Sequence, residues 1–290
     1  SKIKRSYGRA PEIQTRLLKS LIKTAKNTKF GDKHDFYSIN STEEYALNVP
    51  IRDYEGFKKY IEEIKEGKEN ILWPGKPKYL AKTSGTTSGI KHIPITKESM
   101  PNHILSSRNA LLFYIHETGK TRFLDGKTIF LQGSPVLQNI NGILSGRLSG
   151  IVAHHIPPYL RKNNLPSLKT NSIEDWEVKV NRICEETINE NMTTIGGIPS
   201  WVQMYFERLL FMSKKKNIIE LFKNLNLYVY GGVNFSPYKK SFKKLIGKNI
   251  DMVEYYPASE GFFAYQNSQK ERGLLLQYDS GIFYEFVKTE

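Results

Sequence analysis

Cysteine is almost absent: Cys184 is the only one in 290 residues. An internal disulfide is therefore excluded, and a lone thiol suits a reducing compartment such as the cytoplasm. Cys184 falls in a helical stretch, 176–188, and reads as a small packed hydrophobe rather than a nucleophile. Long hydrophobic runs are also lacking, and none could span a bilayer, so no membrane partner is expected. The basic start, Ser1-Lys2-Ile3-Lys4-Arg5, leads into no apolar segment, so no secretory signal is read there. Acidic residues are scarce relative to basic ones: 29 Asp and Glu against 43 Lys and Arg give a net charge of +14. No zinc-finger spacing, RNP motif or basic heptad array accompanies that excess, so no nucleic-acid partner is expected. Lys239, Lys240, Lys243 and Lys244 fall on one side of a helix whose other side carries Phe242 and Leu245. Lys214, Lys215 and Lys216 stand where a helix should end, where cations suit the dipole. The charge reads as solvated faces. Also missing are a Gly-x-Ser-x-Gly elbow and a Cys/His pairing signature. His154 and His155 are adjacent, so in a strand they would point to opposite faces and could not readily share a metal.

What remains is an ordinary globular composition, 39% hydrophobic and 25% charged, long enough to bury a substantial core. Apolar residues recur at helical spacing over 11–26 and 54–66, and longer helices are expected at 97–117, 172–190 and 200–214. Short apolar runs at 79–81, 93–95, 128–131, 227–230 and 252–256 read as strands, with a helix at 238–245 between the last two. From Phe262 to Val287 aromatic and β-branched residues alternate with glycine breaks, which predicts antiparallel strands. The pattern predicts an α/β fold, mixed sheets flanked by helices, with an antiparallel β-rich end.

Three loops stand out. Thr83-Ser84-Gly85-Thr86-Thr87-Ser88-Gly89-Ile90-Lys91 lies between two strands, and its backbone N–H groups, hydroxyls and Lys91 form a set suited to phosphate oxygens. It is not a Walker A loop: three residues separate Gly85 from Gly89, and His92 follows Lys91. Gly231-Gly232-Val233-Asn234 follows a strand, where glycine lets a flat ring approach the backbone. Tyr256-Pro257-Ala258-Ser259-Glu260-Gly261 offers an aromatic face and a carboxylate able to hold Mg²⁺. Ligands of open α/β sheets sit at the carboxyl ends of strands, and together these loops carry the inventory of an ATP site. Gly142, Gly146 and Gly150 recur every four residues, which permits close helix packing or a loop lining a pocket. Arg147 among them, like Arg108 and Arg161, could meet an acid's carboxylate, and nothing in the sequence selects one of the three.

The Ser84-Gly85-Thr86-Thr87 loop with Lys91 resembles the phosphate loop of the adenylate-forming superfamily of acyl ligases. Three segments make the likeness narrower: Leu72-Trp73-Pro74-Gly75-Lys76-Pro77-Lys78-Tyr79, Gly197-Ile198-Pro199-Ser200-Trp201, and Tyr255-Tyr256-Pro257-Ala258-Ser259-Glu260-Gly261. In that order they resemble the GH3 family of acyl-acid amido synthetases. The resemblance implies a ligase that uses ATP and Mg²⁺ to activate a small carboxylic acid and join it to an amino acid. It implies that Ser84, Gly85, Thr86, Thr87 and Ser88 bind phosphates with Lys91 nearby as a catalytic group. Gly231, Gly232 and Val233 would line the adenine slot, Tyr256 would stack on the base, and Ser259 would sit beside the α-phosphate. Glu260 would be catalytic through Mg²⁺, with Thr87 as a second metal contact. Ile198 and Trp201 would border the acyl pocket. The loop departs from the superfamily pattern at Ser88, commonly glycine, and at Ile90, often proline. Gly281-Ile282-Phe283-Tyr284-Glu285-Phe286 resembles a family strand just before a third nucleotide motif and a mobile C-terminal domain. The expectation is therefore an incomplete N-terminal adenylation-type domain over 1–290, with phosphate loop 83–91 and β-rich end 262–290, inactive or impaired by itself. An acyl-CoA ligase shares the first half-reaction and is the nearest alternative; a non-catalytic nucleotide-binding fragment is the other.

Overall fold

Alternation along one strand shows how the core is laid out. In Leu227-Tyr228-Val229-Tyr230, Leu227 and Val229 face one helix layer while Tyr228 and Tyr230 face another, and all four are buried. A strand apolar on both faces belongs to the middle of a sheet covered on both sides. A computed structural model describes residues 7–84 and 89–288 of the chain and places that strand so. The larger sheet has seven strands, ordered β11-β10-β9-β8-β7-β3-β6. Their ranges are β3 Lys127–Leu131, β6 Asn164–Leu165, β7 Met192–Gly197, β8 Leu227–Gly231, β9 Asp251–Ala258, β10 Gly261–Tyr265 and β11 Leu275–Leu276. From β9 through β6 neighbouring strands are parallel; β10 and β11 add antiparallel pairs at one edge. The smaller sheet is ordered β2-β1-β5-β4, from β1 Tyr79–Ser84, β2 Ile90–Ile95, β4 Gln138–Ile140 and β5 Ile143–Arg147.

Helices fill the remaining layers. The principal ones are α1 Ala10–Ala25, α2 Tyr54–Lys65, α3 Met100–Thr118, α4 Leu148–Ala153, α5 Trp176–Thr187, α6 Pro199–Ser213 and α7 Lys239–Ile246. In α6, Val202, Tyr205, Phe206 and Leu209 recur at i, i+3, i+4 and i+7, and all are buried against β3, β7 and β8. Phe242 of α7 is fully buried and stacks near Tyr228, while the four lysines of that helix are exposed as expected. Cys184 lies in this core, and burial pushes its thiol up to about 12, so it packs rather than reacts. On the opposite face α3 serves both sheets. Ala110, Phe113 and Tyr114 cover β8, β9 and β10, while Met100 and Ile104 pack on Tyr79, Ala81 and Ile95 of the small sheet. α1 and α2 cover the outer face of the small sheet through Leu18, Ile22, Tyr60 and Ile64.

Helix and strand bounds differ from the periodicity by a few residues at most, as fraying ends dictate. One expectation needs correction, and two conditional readings take a definite form. The tail forms only β10 and the two-residue β11; 277–288 carries no strand. Its carbonyls and N–H groups turn instead to side chains: Gln14 of α1 donates to Tyr278 O and Ile282 O and accepts from Tyr284 N at 2.8 Å. The spaced glycines do not form a helix-packing stripe, because Gly142 is in a turn, Gly146 in β5 and Gly150 in α4. His154 and His155 lie in a turn and part ways: His154 Nε2 meets Pro135 O at 2.8 Å and His155 Nε2 meets Tyr79 OH at 3.0 Å.

Candidate functional site

The carboxyl ends of β7, β8 and β9 lie side by side, because register pairs Gly196 with Val229 and Gly231 with Tyr255. Gly231 has no room for a side chain: a Cβ there would collide with the Tyr255 carbonyl and reach Pro257 Cδ at 3.3 Å. Gly232 follows with φ +83, a conformation that favours glycine, and the nearest atom to a Cβ there is Ile198 Cγ1 at 3.9 Å. The two glycines therefore have backbone reasons that the sequence reading assigned to a ligand. They also draw Ile198 of the β7–α6 turn and Pro257 of β9 to one place. Gly197 itself holds φ +147, and Tyr228 OH donates to its carbonyl at 3.1 Å. Val233 is exposed beyond the glycines. Trp201, in the first turn of α6, packs at a tilt against Trp176 with ring centroids 4.9 Å apart.

The segment after Tyr256 is a tight hairpin rather than an open loop. Ala258 pairs with Gly261, so Ser259 and Glu260 are its two turn residues. Glu260 is exposed at the tip and makes no hydrogen bond or ion pair among the described residues. Tyr256 is 55% exposed, with its ring 5.6 Å from that of Phe263, so one face is open. The hairpin is braced from behind by Asn102 of α3, which accepts from Phe262 N at 2.7 Å and donates to Ser280 Oγ at 2.9 Å. A cavity of about 320 Å³ opens there between α3 and the tail, lined by Glu98, Asn102, Ser106 and Asp279 among others. None of the residues expected from sequence lines it, and sequence reading gave no signal for it.

The expected phosphate loop joins β1 to β2 in the small sheet, between paired residues Ser84 and Ile90. Gly85, Thr86, Thr87 and Ser88 lie outside the described residues. Lys91 pairs with Thr83 and its ammonium sits 5.1 Å from the centre of the Tyr54 ring, at the start of α2. Tyr54 OH also accepts from His92 N at 3.0 Å, so α2 holds this end of β2. No hydrogen bond or ion pair joins Lys91 to Glu260 among the described residues. Among those residues no group of three or more His, Cys, Asp or Glu could hold a metal, and no helix is long and apolar enough to cross a membrane.

Two mixed sheets of this order, flanked by helices, make a fold shared with solved structures of an acyl acid amido synthetase and a CoA ligase. A solved GH3.15 acyl acid amido synthetase superposes with a TM-score of 0.72 at 14% identity, over 96% of this chain and 59% of that one. AtGH3.15 acyl acid amido synthetase in complex with 2,4-DB gives 0.71 at 16% identity, over 89% and 54%. An open conformation of 2-hydroxyisobutyryl-CoA ligase, in complex with 2-HIB-AMP and CoA, gives 0.53 at 12% identity, over 90% and 57%. The chain thus spans less than two thirds of the length of these relatives. No curated protein matches its sequence. Residues 1–251 match the GH3 family N-terminal domain, and the chain belongs to the GH3 family.

Proposed function

We propose that this protein activates a carboxylic acid with ATP and transfers the acyl group to the amine of an amino acid. The acid's carboxylate attacks the α-phosphorus and pyrophosphate leaves. The amine then attacks the acyl carbonyl, and AMP leaves as the amide forms. No side chain acts as nucleophile; the protein's work is positioning and charge stabilisation. In this reading Ser84, Gly85, Thr86, Thr87, Ser88 and Lys91 hold the phosphates. Gly231, Gly232 and Val233 border the adenine, Tyr256 stacks on it, and Ser259 faces the α-phosphate. Glu260, with Thr87, holds Mg²⁺, which when bound neutralises charge developing on pyrophosphate. Ile198 and Trp201 border the acyl group.

The observation that supports this reading is the convergence of Ile198, Gly232, Gly231 and Pro257 at the carboxyl ends of the central strands, with a carboxylate at the next turn that has no partner among the described residues. A lone exposed carboxylate fits Mg²⁺, which commonly takes one or two carboxylates plus substrate phosphates. The likeness to a CoA ligase favours a second reading, thioester formation, which shares the adenylation step. ATP–pyrophosphate exchange with a panel of carboxylic acids tests the shared step in the full-length protein. Exchange dependent on one acid is expected, and Glu260→Ala should abolish it; exchange undiminished in that variant would sink the assignment. Product analysis with amino acids against CoA then separates amide from thioester.

A further inference from the structure

Three arginines compete in the sequence as partners for an acid, and their surroundings differ. Arg161 is already occupied: its Nε donates to Ile156 O at 3.0 Å and its Nη2 to His154 O at 3.5 Å. Arg108 is exposed on α3. Arg147 ends β5 and pairs in register with Lys82, two residues before Ser84, so it stands beside the entrance to the β1–β2 loop. Its side chain leaves the small sheet and crosses to the large one. A Cβ on Gly133, just past β3, would meet Arg147 Cδ at 2.5 Å. The arginine stem therefore occupies the space that a side chain at 133 would take. Leu131, at the end of β3, pairs with Gly197, which leads into Ile198 and Trp201.

The guanidinium is exposed and has no hydrogen bond or ion pair among the described residues. A second cation lies under the same segment. Lys179 of α5 is 3% exposed, and its Nζ donates to Gln132 O at 3.2 Å and Asn171 O at 2.6 Å. Among the described residues it has no carboxylate partner, and buried charges ordinarily have one. Lys82, the other cation at this end, is taken up by Gln138 Oε1 at 2.5 Å. The gap between the carboxyl ends of β1 and β5 and the Gly197–Trp201 turn thus carries a planar fork of donors with no partner among the described residues, backed by a buried positive charge.

We propose that Arg147 is the anchor for the carboxylate of the acid being activated, with Gly133 giving it passage and Lys179 as a positioning residue that fixes the 132–133 backbone. This rests on the adenylation reading above. A guanidinium matches a carboxylate through two parallel N–H···O bonds, which sets its orientation as well as its place. The position suits an acid whose body lies toward Ile198 and Trp201 and whose carboxylate lies at the carboxyl ends of β1 and β5.

The test is ATP–pyrophosphate exchange by the full-length protein, using the acid that best supports exchange in the wild type. Arg147→Ala should raise the KM for that acid about 30-fold or more while the KM for ATP stays within about threefold. Arg147→Lys should recover part of the loss, and added guanidinium ion should rescue Arg147→Ala. Gly133→Ala, which pushes on the arginine stem, should raise the acid KM in the same sense but less. Arg108→Ala is the control and should change neither constant. A rise in the ATP KM instead, an unchanged acid KM, or an equal loss in Arg108→Ala would overturn the proposal while adenylation stands. Exchange absent from the wild type with every acid would overturn the adenylation reading and this proposal with it.

Discussion

The two sheets are built on different terms. In the large sheet every residue of β7 is buried, and four of the five in β8 are. In the small sheet β2 runs from an exposed Ile90 to a buried Ile95 with half-buried residues between, and β4 has none buried. The large sheet is a parallel platform fixed by packing on both faces. Its contributions to the site are backbone placements: Gly231 against β9, Gly232 at positive φ, Gly197 tied to Tyr228. The small sheet contributes side chains on strands half in water. In the proposed site the large sheet supplies backbone placements and the Glu260 carboxylate, and the small sheet supplies the cations Lys91 and Arg147.

The largest effect that would sharpen this contrast is truncation in each sheet's packing. Phe242→Ala, under the large sheet, should cost about 3–5 kcal/mol in chemical unfolding, and Ile93→Ala in the small sheet about 1–2 kcal/mol. Equal costs would break the comparison. Gly231→Ala comes next, at about 1–3 kcal/mol, because its Cβ meets backbone that cannot yield cheaply. The same variant should weaken ATP binding measured by calorimetry, since β8 and β9 must part.

A pH slope tests the half of α3 that rests on the small sheet. His103 is buried, its Nδ1 has no partner among the described residues, and burial lowers its pKa from 6.5 to about 4. The folded state therefore resists a proton that the unfolded chain accepts. Stability from this group is present above about pH 6.5 and is lost as pH falls towards about 4. His103→Gln should flatten that part of a urea-midpoint profile. The smallest effect is Tyr228→Phe, about 1 kcal/mol, from the Gly197 carbonyl left without its hydroxyl donor.

Much of the frame was legible because its signals are local. The helical stripe of α6, the lysine face of α7 and the two-sided strand β8 announce themselves by spacing. β5 does not: Ser145 and Gly146 are poor strand formers, and they fit only because Ser145 Oγ donates to Leu80 O at 3.0 Å and Leu137 crowds the glycine. The tail misled for a related reason. Its aromatic residues pack on helices far away in sequence: Phe262 and Tyr265 against α3, and Phe283 against Tyr45 of the Thr42–Asn48 helix with centroids 5.8 Å apart. In the candidate site, residue types pointed to strand ends that the fold brings side by side, but Ser259-Glu260 is no usual hairpin pair, so the tight turn was unreadable. Arg147, one of three arginines open in the sequence, is set apart only through Gly133, a contact between sheets that no local pattern encodes.

Gln14 clasps Tyr278, Ile282 and Tyr284 across as many as 270 positions of sequence. During synthesis, then, α1 leaves the ribosome early and must wait for almost the last described residues before this side chain is satisfied. A chain ending before Tyr278 would leave the Gln14 amide without any of these three partners.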